Sequence, residues 1–356
     1  MKRIVLTGGG TAGHVTPNLA LIAALRKEGW EIHYIGTANG MERGLIEPLE
    51  GVTYHTVKSG KLRRYFDLKN FTDPFRVLQG AFQAASLMRQ IRPDIVFSKG
   101  GFVSVPVVYG AWLHHVPVLL HESDMTPGLA NRLSTPLAVK VCCTFPEAAA
   151  HIGKKGVVTG TPLRADLFEG NYDEGLKRFG FTDSRPVLMV TGGSSGAQAI
   201  NAALRKALPA LTECFQVLHL CGKGNLSADF EGAANYRQVE YLNDEMKDAY
   251  ACASVVISRA GSNTVCELLA LKKPMLLIPY PKEASRGDQI LNAESFRKRG
   301  FSHVLDQAEL TPDRLIKEVI SLYHDRGALF DAMVGDEQGT DGVERVLEQI
   351  YKYAKK

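Results

Sequence analysis

Short apolar, β-branched runs recur along the chain, separated by stretches of helical length. In the first half the runs are RIVLT, EIHYIG, DIVFSKGG, VPVLLHE and VKVCCT; in the second they are VLMVT, FQVLHLCG, VVISRA and PMLLIPY. Runs that are apolar without a polar alternate position suit strands buried on both faces, and their alternation with helical segments predicts parallel sheets in an α/β fold. VSVPVVYG, residues 103–110, reads by the same rule as a further strand and loop. From about 341 to 356 the pattern is that of an amphipathic helix, expected to pack back on the first half.

One unit occurs twice. RIVLTGGGTAG at 3–13 and VLMVTGGSSGA at 187–197 each give an apolar strand, Thr-Gly-Gly, and a small-residue loop opening a helix. Strand, glycine turn and helix start a parallel βαβ layer, so the echo predicts two doubly wound, Rossmann-like domains facing across a cleft at the carboxyl ends of their strands. A length of 356 residues also suits about two domains. Gly160 and Pro162 interrupt the chain before a polar helix, which sets the expected domains at 1–163, joined by the helix 341–356, and 164–340.

Composition removes several classes. Lys plus Arg number 42 against 38 Asp plus Glu, a net charge of +4 spread along the chain, which does not suggest a nucleic-acid-coating protein. The 45% apolar and 22% charged fractions are those of a globular chain. Residues 100–121 lack Asp, Glu, Lys and Arg, but two prolines and three histidines argue against a membrane span. MKRIVLTGGG runs straight into a strand, without the apolar core of a signal peptide, so a cytoplasmic protein is expected. The six cysteines form no Cys-x-x-Cys pair and sit in apolar runs, which predicts buried thiols and no structural metal.

Glycines ahead of a helix expose backbone N–H groups and the positive end of the helix dipole, a seat for phosphate or diphosphate. GGGTAG approaches a dinucleotide fingerprint, but the second strand ends Tyr34-Ile35-Gly36-Thr37 with no acid for a ribose, and neither loop continues into Gly-Lys-Ser or Gly-Lys-Thr. A third cluster, SRAGSNTVCELLA at 258–270, follows a strand. Its Glu267 either closes a capping box with Thr264 or holds both hydroxyls of a ribose. No Asp-x-Asp pair occurs in the chain, which disfavours a glycosyltransferase that grips its nucleotide sugar through a divalent metal.

Six segments in order, GGGTAGHVTPNLA, SKGGFVSVP, HESDMTPGLANR, GTPLR, TGGSSGAQAIN and SRAGSNTVCE, resemble the MurG family over essentially the whole chain. That family moves N-acetylglucosamine from UDP onto undecaprenyl-diphosphate-linked muramyl pentapeptide, lipid I. The resemblance implies a GT-B fold and an inverting, metal-independent transfer to the muramyl 4-hydroxyl without a cofactor, giving lipid II. It implies a donor site in the C-terminal half, with Arg164, Leu242 and Glu267 at the uridine, Ser194 and Ser195 at the diphosphate, Asn263 and Thr264 near phosphates and sugar, and Asp288 and Gln289 at the sugar. Gly9, Gly10, Thr11, Gly13, Gly100, Gly101 and Ser104 are then candidates for the acceptor diphosphate. Asp124 and Asp288 depart from the amides found there in some members, and an aspartate accepts but does not donate as an amide can.

His14, beside a positive helix end that disfavours imidazolium, is a candidate general base; Asp124 and Glu122 are rivals, and a histidine that merely caps its helix is the plainer alternative. Arg63 and Arg64 alongside Phe71, Phe75, Leu78 and Phe82 suit peripheral contact with an anionic membrane, unless the aromatics are core. The implied place is the cytoplasmic face of the bacterial membrane, with UDP-GlcNAc and lipid I as substrates and other cell-wall synthesis proteins as candidate partners. A diacylglycerol-glycosylating relative, a non-catalytic UDP-sugar-binding subunit and, more distantly, an NAD-dependent oxidoreductase are the competing functions.

Overall fold

The computed structural model describes residues 1–60, 69–182, 184–193, 196–282, 287–336 and 341–355, with the backbone alone at 12 and 69–72. The chain divides into two compact units, Met1–Arg164 with Asp341–Lys356, and Ala165–Thr340. Strands are β1 (Arg3–Thr7), β2 (Glu31–Gly36), β3 (Val52–Thr56), β4 (Ile95–Ser98), β5 (Val118–Glu122), β6 (Lys140–Cys143), β7 (Gly156–Val158), β8 (Val187–Thr191), β9 (Gln216–Leu220), β10 (Tyr236–Val239), β11 (Ala253–Ser258), β12 (Met275–Leu277) and β13 (Ser302–Val304). Helices are α1 (Thr16–Lys27), α2 (Met41–Ile46), α3 (Lys69–Ile91), α4 (Ser104–Leu113), α5 (Leu129–Ser134), α6 (Pro146–Ile152), α7 (Tyr172–Phe179), α8 (Gln198–Cys214), α9 (Met246–Cys252), α10 (Ser262–Ala270), α11 (Asp288–Lys298), α12 (Pro312–Val334) and α13 (Gly342–Tyr353).

Among the described residues every strand pairing is parallel. The first sheet has the order β3-β2-β1-β4-β5-β6-β7 and the second β10-β9-β8-β11-β12-β13. Substituting β8 for β1 and counting on converts the first six-strand order into the second, so the repeated text marks a repeated topology. In the first sheet Leu6 lies between Tyr34 and Phe97; in the second Val190 lies between His219 and Ile257. The order reverses its direction between β1 and β4 and between β8 and β11, and a crevice at such a point is where open α/β sheets bind ligands.

The core of the first unit joins Ile4, Leu6, Leu25, Trp30, Tyr34 and Phe97 to Val346, Leu347 and Ile350 of α13. Helix α13 is held further by Trp30 against Tyr351, ring centroids 6.2 Å apart, by a Tyr351–Glu28 hydrogen bond, and by the Lys355 amide donating to Asp94 O at 3.0 Å. Local signals place other ends: the Asn171 side chain caps α7 by accepting the Glu174 amide at 3.0 Å, and Thr311 does the same for α12 ahead of Pro312.

Three sequence expectations are corrected. VSVPVVYG is not a strand; it forms most of α4. Parallel neighbours β4 and β5 need a crossover, Pro106 falls in the first turn where its missing N–H costs no helical bond, and Gly110 lets α3 approach so closely that a Cβ there would stand 2.6 Å from Ala84 Cβ. These contacts override β propensity. The Thr264–Glu267 capping box is absent because α10 begins at Ser262, which puts Thr264 inside the first turn. Cys214 is exposed, whereas the other five cysteines are buried and free.

Candidate active site

In the first unit the loops after β1 and β4 meet at the reversal point. Gly101 has φ +82°, and a Cβ there would overlap the Gly9 carbonyl and come within 3.2 Å of His14 Nδ1. At Gly10, φ is +85° and a Cβ would strike the Phe102 ring. Glycine is required at both places by backbone sign and by the close approach. His14 closes a single 3-10 turn, its amide donating to Thr11 O at 3.1 Å, and its Nδ1 is 2.8 Å from Thr11 Oγ1. In the tautomer that donates from Nδ1 to that hydroxyl, Nε2 carries the lone pair; in the other, Nδ1 accepts from Thr11. Ser104 is buried, its hydroxyl donating to Gly101 O at 2.9 Å, so it holds the turn below Gly100 and Gly101.

Glu122 ends β5. Its Oε1 accepts the Asp124 amide at 3.0 Å; its Oε2 accepts the Gly128 amide at 3.0 Å and Asn131 Nδ2 at 2.9 Å. Burial holds this carboxyl above the usual range against the pull of those donors. Both oxygens are engaged in shaping the 123–128 loop, on which Asp124 is half-buried. The adjacent His121 is wholly buried; burial, then the nearby Lys99 charge, hold its pKa well below the usual value. Neutral His121 donates from Nε2 to Gly160 O at 3.0 Å and accepts from Lys99 Nζ at 3.0 Å, while Lys99 also bonds the Ser123 hydroxyl.

The second unit places SRAGSNT at the matching position. Glu267, in the second turn of α10, accepts from the buried Tyr250 hydroxyl at 3.0 Å. Asn263 and Thr264 lie in the first turn of that helix, at the carboxyl edge of β11. Gln289 Oε1 accepts the Tyr280 amide at 3.1 Å, and Asp288 is the buried first residue of α11. Leu242 is buried just beyond β10, and Arg164 is half-buried at the end of the first unit. Ser194 and Ser195 fall outside the described residues, as do Arg63 and Arg64; of Phe71 the backbone alone is described.

Several residues that hold these sites escape a motif reading. Lys99 and Arg259 occupy equivalent places, each buried after the serine that ends the strand at its reversal point, in SKGG and SRAG. Each reaches across to the next strand's end: Lys99 to His121 and Ser123, Arg259 from Nη1 to Ile278 O at 2.9 Å and Pro279 O at 3.2 Å. Arg259 also stacks on Tyr280, 4.1 Å from the ring centroid, and donates to Gln307 Oε1 at 2.6 Å. Aligning the two motifs would have shown this pair of cations. Asn18 and Asn201, near the starts of α1 and α8, tie helix to sheet through Thr7 O at 3.3 Å and Cys221 O at 2.8 Å. Nothing in the glycine text marks Glu42, which is wholly buried against the first loop.

On α3, Phe75, Leu78 and Phe82 are 74%, 56% and 64% exposed, so these residues are not core. Helix α4, packed on α3, adds exposed Tyr109, Trp112 and Leu113. Among the described residues no helix is long and apolar enough to cross a membrane.

Comparison with known proteins agrees with this arrangement. The N-terminal domain of glycosyltransferase family 28 matches residues 4–143, and its C-terminal domain matches residues 187–348. A relative from Clostridium botulinum (strain Hall), described as UDP-N-acetylglucosamine–N-acetylmuramyl-(pentapeptide) pyrophosphoryl-undecaprenol N-acetylglucosamine transferase, is 54% identical over 356 residues, covering 100% of both chains. One from Lachnospira eligens with the same description is 53% identical, covering 98% of this chain and 99% of its own. Among solved structures, the MurG of Acinetobacter baumannii superimposes with a TM-score of 0.77 at 27% identity, covering 99% of this chain and 100% of that one. Two doubly wound parallel-sheet units of this kind constitute the GT-B fold expected from the sequence.

Proposed function

The chain belongs to glycosyltransferase family 28, and from that membership we propose that it transfers N-acetylglucosamine from UDP-GlcNAc to the muramyl 4-hydroxyl of lipid I, giving lipid II. The observation that carries this reading is the 54% identity to a transferase of that description along the entire chain. A relative that glycosylates diacylglycerol would share the donor residues, but a match that covers the whole chain, together with the family resemblance of HESDMTPGLANR and the TAGHVTPN loop, favours the muramyl acceptor.

UDP binds the second unit in this reading. Glu267 accepts both ribose hydroxyls, held in orientation by Tyr250, while Leu242 covers the uracil and Arg164 approaches the uridine. The 192–196 loop, Ser194 and Ser195 included, and the first turn of α10 with Asn263 and Thr264 receive the diphosphate. Asp288 and Gln289 contact sugar hydroxyls. Lipid I binds the first unit through its diphosphate, at backbone amides of Gly9, Thr11, Gly13 and Gly101; Gly10, Gly100 and Ser104 shape that loop through bonds already made inside the protein.

His14 is the base. Its Nε2 takes the proton of the 4-hydroxyl as that oxygen attacks the anomeric carbon; the carbon–oxygen bond to UDP breaks on the opposite face, with inversion. Charge developing on the leaving diphosphate is met by backbone N–H groups and helix dipoles. Asp124 lies on the acceptor side, and Glu122 keeps its loop in shape.

A lipid-linked acceptor places the work at the cytoplasmic membrane surface. The exposed apolar residues of α3 and α4 support a peripheral contact there. Incubating purified protein with UDP-GlcNAc and a short-chain lipid I analogue in EDTA tests donor, acceptor and metal independence together. The expected product is the disaccharide lipid with one UDP released; a preparation that binds UDP but forms no disaccharide defeats the proposal.

A further inference from the structure

We propose that Glu42 is a positioning residue of the transfer site, one that fixes the loop carrying Thr11 and His14 and so sets the rate of the chemical step. The inference rests on the reading of His14 as the base. In a dinucleotide-binding βαβ unit an acid near the end of the second strand faces outward to a ribose. Here the acid near that place, on α2, is wholly buried and turned inward. Its Oε1 accepts the Thr37 amide at 3.0 Å and the Thr37 hydroxyl at 2.6 Å, and its Oε2 accepts the Gly10 amide at 3.3 Å.

Glycines make the space for it. A Cβ on Gly9 would stand 2.6 Å from Glu42 Cδ, one on Gly36 would stand 2.9 Å from Cγ, and one on Gly40 would overlap the carboxylate. Part of the glycine text of this loop therefore accommodates an internal carboxylate as well as a ligand. The loop is tied on both sides: Tyr34 Oη donates to Gly8 O at 2.6 Å, Glu42 takes the Gly10 amide, and Thr11 and His14 follow directly. Because all the donors around Glu42 are N–H or O–H groups, a glutamine in its place has one oxygen for two sides. Its NH₂ must face either the Gly10 or the Thr37 amide, and the loop is released at that point.

The test compares the full-length chain with Glu42→Gln, His14→Ala and the double variant, measuring kcat, both KM values and the calorimetric Kd for UDP. Glu42→Gln should lower kcat by about tenfold or more, as expected for losing a hydrogen bond to a charged acceptor. The UDP Kd and donor KM, set in the other unit, should stay within about twofold, and in the His14→Ala background the same change should cost little. Unchanged kcat in Glu42→Gln, or an equal loss in both backgrounds, overturns the inference. Should Glu42→Gln fail to fold, Gly9→Ala displaces the carboxylate while keeping its charge; the same His14-dependent fall in kcat is expected, and an unaffected kcat overturns the proposal. Failure of the underlying reading looks different: the unaltered chain forms no product, or His14→Ala alone leaves kcat intact.

Discussion

Replacing Tyr250 with phenylalanine tests the donor site by removing a single oxygen. The hydroxyl donates to Glu267 Oε2 at 3.0 Å from a side chain only 3% exposed, so phenylalanine keeps the packing and deletes the donor. A hydrogen bond to a charged acceptor contributes about 1.5–3 kcal/mol, and water reaches the half-buried Glu267 to replace part of it. A residual loss of about 1 kcal/mol corresponds to a roughly fivefold weaker UDP complex and a thermal midpoint lower by about 2–4 °C. Burial, then the charge of Glu267, push the Tyr250 pKa well above the usual tyrosine value. For an acid whose folded pKa is raised, the contribution is complete below the unfolded value of about 10 and is lost only as pH climbs through the folded one. The affinity deficit should therefore be flat between about pH 6 and 9, a range in which tyrosine is protonated in both states. Calorimetric titration with UDP across that range, on Tyr250→Phe, Glu267→Gln and the double variant, reads it directly. An unchanged Kd, a deficit that disappears at one end of the range, or full additivity of the two changes refutes the view that Tyr250 orients Glu267 for the ribose.

Three further changes probe the first unit. His14→Ala should lower kcat by about 10²–10⁴-fold with acceptor saturating and leave UDP affinity unchanged, and near-normal turnover would move the base elsewhere. Glu122→Gln should lower the thermal midpoint, because one amide oxygen cannot serve the Asp124, Gly128 and Asn131 donors together. Since burial raises the folded Glu122 pKa, the native carboxyl contributes most below its unfolded value of about 4.3 and loses that margin as pH rises through the folded one, so the gap between the proteins should narrow toward neutral pH in thermal scans. Phe75→Ser with Phe82→Ser should weaken sedimentation with anionic vesicles by about tenfold or more, at roughly 25 cal/mol per Å² of apolar area withdrawn from water; binding that ignores both changes and high salt would leave α3 out of the membrane contact.

The sequence carried the architecture because its periodicity and its punctuation agree. RIVLT and VLMVT are uninterrupted apolar runs, each closed by Thr-Gly-Gly, and both became the central strand at a reversal point. Reading failed where tertiary context outweighed local preference. VSVPVVYG has strand composition, yet the demand for a crossover between parallel β4 and β5 made it helix. Strands β3, β7, β10 and β13 lie toward the sheet margins and were not recognised, since VTYHT and YRQV mix exposed polar positions into short runs. The site shows the same division. Glycine turns and Glu267 are visible because backbone sign and motif spacing leave a local trace, whereas Glu42, Lys99, Tyr250 and Arg259 act through partners far away in sequence, and no window of neighbouring residues contains both ends of those bonds.

The shared topology does not make the two glycine loops alike in what braces them. In the first unit the carboxylate of Glu42 sits beneath the loop and engages the Gly10 amide. In the second, the Gly193 amide meets the Thr191 hydroxyl at 3.3 Å, and a Cβ on Gly196 would meet the Cys221 carbonyl and, at 3.0 Å, the Asn225 amide nitrogen. A buried carboxyl thus braces one loop, whereas a hydroxyl, a carbonyl and an amide surround the other, so the same turn is held by different chemistry in the two units.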